Sequence, residues 1–106
     1  MGNLTISTSS AVDGTTLLHV RGEIDVSTSG ELLAAVEEEV SRRRPPKLVV
    51  DMLHVTFLDS TGLTTLLAAH RAAQRHGTAL VVRELSEFVQ RQLRVAGIYE
   101  ILTGSQ

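Results

Sequence analysis

The sequence predicts an α/β fold. A mixed β-sheet opens with an antiparallel hairpin, helices pack against it, and the order is β-β-α-β-α-β-α. Three observations carry this expectation. Two strand-like stretches flank an Asp-Gly pair near the N-terminus. Two short apolar runs, KLVVDML at 47–53 and ALVV at 79–82, read as buried strands. Stretches with apolar residues at helical spacing separate and follow those runs, and strand–helix–strand units force parallel pairing with right-handed crossovers.

Each element has a local reason. Residues 4–8, LTIST, alternate apolar and polar, and VDGT at 12–15 contains the Asp-Gly turn signal. Residues 16–21, TLLHVR, form the second strand, and Gly22 is expected to break it. Ser27 or Thr28 then caps a helix with Glu31 in its first turn. Leu32, Leu33, Val36 and Val40 mark its apolar face, Glu37 to Glu39 its wet face, and Pro45-Pro46 its end. The central strand at 47–53 is followed by a short loop and FLDSTGL. A second helix has Leu63, Leu66, Leu67 and His70 on one face and Gly77 as its stop. After the strand at 79–82, a third helix runs from Glu84 to Ala96 with Leu85, Phe88, Val89, Leu93 and Ala96 as its stripe. Gly97 ends it, and IYEIL at 98–102 adds an edge segment or a last helical turn.

Composition bounds the function. A chain of 106 residues fits one domain spanning 1–106, without internal repeats or low-complexity linkers. A domain of that size buries roughly 65% of its unfolded surface, enough for one core. With 42% apolar residues and only Phe57, Phe88 and Tyr99 as aromatics, that core is aliphatic. Few aromatics and a net charge of −2 argue against a nucleic-acid partner. The run Arg42-Arg43-Arg44 sits where it complements a helix dipole. The chain has no cysteine, which excludes disulfides, thiolate catalysis and cysteine-based zinc sites. No apolar run reaches the ~18 residues of a membrane helix. The N-terminus lacks the basic-then-apolar pattern of a signal peptide. A cytoplasmic location, no membrane partner and no cofactor are expected.

The chemistry concentrates at FLDSTGL. It lies at the carboxyl end of the central strand, where open α/β sheets place ligands and reactive groups. It also opens a helix, whose N-terminus favours negative charge. Asp59 reads first as the helix cap, with a base, a metal ligand or partner recognition as alternatives. No neighbouring residues complete a metal set. Ser60 makes a poor nucleophile. The G-x-S-x-G elbow is absent because Leu58 stands at its first glycine. His19, His54, His70 and His76 are scattered, and none is spaced to serve Ser60 as a base. A phosphate loop would need several glycines and a Lys, whereas the only Lys is Lys47. The residues alone leave Ser60 as an ordinary first-turn hydroxyl or a modified one. Phosphorylation would add a charge of about −1.5 to −2 that the helix end tolerates and a protein interface does not.

The stretch LVVDMLHVTFLDSTGLTTLL resembles the core motif of the STAS domain of bacterial anti-sigma factor antagonists. GEIDVSTSGELLAAV looks like that family's Gly-Glu-[Ile/Leu]-Asp segment and following helix, and VQRQLRVAGIYEIL like its closing helix and tail. The resemblance covers nearly the whole chain and implies a STAS-like mixed sheet, in agreement with the element order. It implies a non-enzymatic partner switch. The unphosphorylated protein binds an anti-sigma factor with a serine kinase fold and frees the sigma factor. Phosphorylation of Ser60 blocks that binding, and a serine/threonine phosphatase resets it. Asp25 is implied near Ser60, and Asp59, Thr61 and Gly62 complete the implied contact surface. The chain departs from the family at Thr64, where many members have glycine, and at His54 in the turn. A rival implication of the domain type is an accessory subunit of a lipid transporter or stress-signalling assembly. The intact Asp59-Ser60 pair favours the kinase-regulated type.

Overall fold

A computed structural model describes residues 2–104. Strands β1 (Leu4–Ser10) and β2 (Thr16–Ile24) form the antiparallel hairpin. Helix α1 (Ser29–Arg42), strand β3 (Lys47–Leu58), helix α2 (Ser60–Arg75) and strand β4 (Ala79–Arg83) follow, then helices α3 (Glu87–Val95) and α4 (Tyr99–Thr103). The sheet order is β1-β2-β3-β4, with β2–β3 and β3–β4 parallel. The predicted order therefore holds, and the C-terminal segment resolves as a short helix rather than an edge strand.

One face of the sheet carries the core. Leu18 and Val20 of β2, Leu48, Val50 and Met52 of β3, and Leu80 and Val82 of β4 are buried there. They share one cluster with Leu32, Val36 and Val40 of α1, Leu66, Ala69 and Ala73 of α2, Val89 and Leu93 of α3, and Leu102 of α4. The other face bears Thr5, Ser7, His19, Arg21 and Asp51, half-buried or exposed. Alternation along a strand produces this two-sided division.

The strands run further than expected, because two irregularities hide them. On β3 the buried positions are Leu48, Val50 and Met52, then Val55 and Leu58. The period of two breaks after Met52, and 54–56 consequently reads as loop in the sequence. The register shows why. His19 pairs with Asp51, but Arg21 pairs with His54, so β3 carries an extra residue opposite β2. Such bulges leave a residue unpaired and re-aim side chains. The Asp51 carboxylate stabilises this one, its Oδ1 accepting from the Leu53 N–H at 3.0 Å. A second register shift falls between Gly22 and Glu23. Gly22 therefore lies inside β2 instead of ending it, at φ +120°.

The helices correct three details. Glu39 of α1 is buried and reaches Arg43 Nε at 3.5 Å, instead of facing water with Glu37 and Glu38. On α2 the buried residues are Gly62, Thr65, Leu66, Ala69, Ala72 and Ala73, whereas Leu63, Leu67 and His70 are only half-buried. Small residues bring α2 close to its neighbours, which a search for large apolar side chains overlooks. Helix α3 starts at Glu87 after the Ser86 cap, whose Oγ accepts from Val89 N at 3.2 Å, and not at Glu84. Its stripe narrows to Val89 and Leu93, while Phe88 and Ala96 are exposed.

Two glycine stops behave as expected. At the end of α2, Gly77 has φ +78° and its N–H bonds to Gln74 O, while Thr78 N bonds to Ala73 O. At the end of α3, Gly97 N bonds to Arg94 O and Ile98 N to Leu93 O. Both are the paired 6→1 and 5→2 bonds of a left-handed glycine cap.

Candidate functional site

Two loops meet at the carboxyl ends of neighbouring parallel strands. Ile24 and Leu58 are register partners, and Asp25 and Asp59 are the next residue of each strand. The Asp59 N–H continues the ladder by donating to Ile24 O at 3.2 Å. Parallel pairing thus brings together two acids that lie far apart in the chain.

Asp59 caps α2, as its sequence position predicts. It has extended backbone geometry, and its Oδ1 accepts from the Gly62 N–H at 2.8 Å. Its own carbonyl accepts from Leu63 N at 3.0 Å. A carboxylate here also meets the positive end of the helix dipole.

Ser60 is the first residue of α2 and is exposed. Its hydroxyl has no hydrogen-bond partner among the described residues. Its carbonyl accepts from Thr64 Oγ1 at 3.1 Å, so the Thr64 departure ties back onto the first turn. The histidines are engaged or placed elsewhere. His19 pairs with Asp51, His76 bonds Ala72 O, and His54 joins the open face of the sheet. No histidine bonds to Ser60 among the described residues.

Thr61 is half-buried beside it, and Gly62 is buried. A β-carbon at Gly62 would stand 2.6 Å from Ile24 O and 2.5 Å from Leu58 Cδ1. The missing side chain lets the first turn of α2 sit directly on the end of β2. Gly62→Ala tests this. Alanine gains roughly 1 kcal/mol of helix propensity, but forcing atoms into a packed site costs about 1–3 kcal/mol. One of the two clashing atoms is backbone, which cannot swing away as the Leu58 side chain can, so net destabilisation of up to about 2 kcal/mol is expected in denaturant unfolding. Unchanged or raised stability would show that this approach is not tight.

Asp25 is organised by its own loop. Its Oδ1 accepts from Ser27 N at 2.9 Å and from Ser27 Oγ at 2.7 Å. The Ser27 hydroxyl is the leading cause that holds this carboxyl below its ordinary titration range. The loop presents a carboxylate, not a carboxylic acid, beside the α2 start. Thr28 occupies the helix-cap position but makes no cap bond. Its buried hydroxyl donates to Glu23 O at 2.7 Å and accepts from Asp25 N at 3.0 Å, fixing the turn. From its position Thr28 is expected only as a helix cap. The Asp-x-x-Thr spacing was the available signal for this second role.

A further feature escaped the sequence reading. Phe57 of β3 and Phe88 of α3 stack with ring centroids 6.4 Å apart, yet remain 42% and 50% exposed. Val26, next to Asp25, is 77% exposed. Apolar side chains thus flank the polar residues in both loops. Such a mixture suits a protein contact, where aromatic anchors sit among polar groups. Among the described residues no group of three or more His, Asp or Glu side chains is arranged to hold a metal ion, and no helix is long and apolar enough to cross a membrane.

Comparison with known proteins places this geometry. A family model described as "Mlab, STAS domain" matches residues 7–103. A crystal structure of an anti-sigma factor antagonist from Mycobacterium paratuberculosis is 30% identical. It covers 94% of this chain and 83% of that one, with a TM-score of 0.78. The anti-sigma F factor antagonist of Paenibacillus polymyxa is 26% identical over 84% of this chain and 76% of that protein. The structure of the anti-sigma factor antagonist SpoIIAA in its unphosphorylated form shares the fold at a TM-score of 0.72. Its identity is 16%, over 90% of this chain and 83% of that one. The match over nearly all of the residues, on a fold of the same kind, establishes that this chain belongs to the STAS-domain family and is similar to its anti-sigma factor antagonists.

Proposed function

We propose that this protein is an anti-sigma factor antagonist that works as a phosphorylation-controlled partner switch, with 1–106 acting as one STAS domain. Its unphosphorylated form binds an anti-sigma factor and releases the sigma factor. The anti-sigma factor has a serine kinase fold and transfers the γ-phosphoryl group of ATP to Ser60 Oγ. ADP leaves, and the hydroxyl proton passes to a base on the kinase. A serine/threonine phosphatase hydrolyses the ester and restores the binding form.

The observation that carries this reading is the environment of Ser60. Its hydroxyl is exposed, unpaired among the described residues and remote from any histidine base, at the positive end of a capped helix. These features suit an acceptor of phosphate and not a nucleophile. A dianion there gains about 0.3–1 kcal/mol from the helix end, against repulsion from Asp59. The domain therefore survives the modification. The contact surface comprises Asp25, Asp59, Ser60 and Thr61, and the buried Gly62 seats the first turn of α2 beneath it. The exposed Val26 and Phe57–Phe88 pair add apolar area beside it. A partner seated there meets the new charge across a desolvated interface, where an unpaired dianion is costly.

Incubation with the cognate anti-sigma factor and ATP, followed by peptide mass spectrometry, tests the assignment. The expected product carries one phosphate, on Ser60. Modification elsewhere, with Ser60 untouched, would overturn it. The rival reading, an accessory subunit of a transporter assembly, shares the fold but requires no kinase. The absence of phosphate transfer would favour that rival.

A further inference from the structure

The open face of the sheet carries a second cluster, separate from the Ser60 junction. A cleft of about 300 Å³ is lined by Thr5, Ser7, His19, Val20, Arg21, Asp51 and His54. Two cross-strand rows build it: Thr5–Arg21–His54, and Ser7–His19–Asp51. His54 belongs to this face only because of the bulge in β3. Met52 and Val55 are both buried, so Leu53 and His54 turn outward together. The bulge itself rests on Asp51.

The acceptor of the cluster is already engaged. Asp51 Oδ1 takes the Leu53 N–H, and Asp51 Oδ2 lies 3.2 Å from His19 Nδ1. The other ring nitrogen of His19 is 3.1 Å from Ser9 Oγ. Arg83, the register partner of Asp51 on β4, donates to Val82 O and Thr103 O. Glu23, further along β2, accepts from Asn3 N. The side chains of Arg21, His54, Thr5 and Ser7 make no hydrogen bond among the described residues. The groups left free in the cleft are thus a guanidinium, an imidazole and two hydroxyls. Donors from three strands thus face one space, beside an Asp51 carboxylate whose two oxygens each already have a partner.

We propose that this cleft is a binding site for a small oxyanion of phosphate type, held by Arg21 and His54 with the hydroxyls of Thr5 and Ser7. A tetrahedral oxyanion supplies several acceptor oxygens at once, matching a fork-shaped donor and short hydroxyls. The site stands apart from Ser60 and does not depend on the partner-switch reading. Its ligand is either free inorganic phosphate or the phosphate group of an ester.

An amide NMR titration of the full chain tests it, with inorganic phosphate and glycerol 3-phosphate as separate probes. Saturable shifts are expected at Thr5, Ser7, Arg21 and His54. Tighter binding of the ester assigns an esterified ligand, and tighter binding of inorganic phosphate assigns the free ion. Arg21→Gln should weaken binding about tenfold, the worth of one charge-assisted hydrogen bond. Arg21 is exposed, so the variant should melt as the parent does, and His54→Asn provides a second probe on another strand. Three results would overturn the site: no saturable shift, shifts centred on Ser60–Gly62, or undiminished binding in both variants.

Discussion

Ser60→Asp is expected to weaken binding of the anti-sigma factor at least a hundredfold, while Ser60→Ala binds as the unphosphorylated parent does. The two substitutions separate charge from shape. Alanine removes a hydroxyl that has no hydrogen-bond partner among the described residues, so little is lost. Aspartate places a carboxylate at the start of α2, beside the capping carboxylate of Asp59 and the ionised Asp25. A hundredfold loss corresponds to about 2.8 kcal/mol. Leaving one charge unpaired in a desolvated contact costs about 3–5 kcal/mol, so the effect is within reach. The domain itself should hold. Ser60 is exposed, and an added negative charge at a helix N-terminus is favourable by about 0.3–1 kcal/mol. Calorimetric affinity and thermal melting, measured on the same variants, distinguish a switch from unfolding. Equal affinity for Ser60→Asp and Ser60→Ala would show that charge at this position does not control the partner.

Gly22→Ala should have the largest effect on stability, a loss of about 2–6 kcal/mol. Two costs combine there. At φ +120°, Gly22 occupies backbone space that side-chain-bearing residues avoid, a strain of about 1–3 kcal/mol. An added β-carbon would also stand 2.1 Å from Asn3 O and 3.1 Å from Asn3 C. Those atoms are backbone of the residue just before β1, so relief requires the start of that strand to move away from β2. Overpacking of that kind costs a further ~1–3 kcal/mol. Urea unfolding should show a lower midpoint with little change in slope. A change within about 0.5 kcal/mol, the range of an ordinary surface substitution, would mean that the close approach relaxes freely. Displacing the end of β2 should also disturb Asp25, three residues on. A loss of anti-sigma binding in Gly22→Ala must therefore be judged against its folded fraction.

The local parts of the site were legible in the sequence because their causes are local. Asp59 was expected to cap α2 from its place before an amphipathic stretch, and its carboxylate does accept from Gly62 N. The unsuitability of Ser60 as a nucleophile followed from the spacing of the histidines, and no histidine bonds to it in the fold. The hairpin, the three main helices and the four strands followed from turn residues and apolar periods. Where periodicity breaks, the element is hidden in the sequence. The bulges in β3 disrupted its alternation, and a continuous strand looked like a strand with a loop. Alanines and Gly62 form much of the buried face of α2, and they carry too little apolar weight to mark it.

What the sequence determined by itself was the order of elements, the capped start of α2, and a hydroxyl there without a base. Caps, turns and helical stripes depend on residues within about four positions of one another, and that range is visible in a string of letters. The tertiary structure decided which distant residues share a surface. The pairing of Ile24 with Leu58 sets Asp25 beside Asp59, the bare α-carbon of Gly62 lets α2 rest on β2, and the bulge supported by Asp51 turns His54 toward Arg21. Each of these joins segments through register and close backbone approach. Those are set by competition among all packings of the core, and no short stretch of sequence records the outcome.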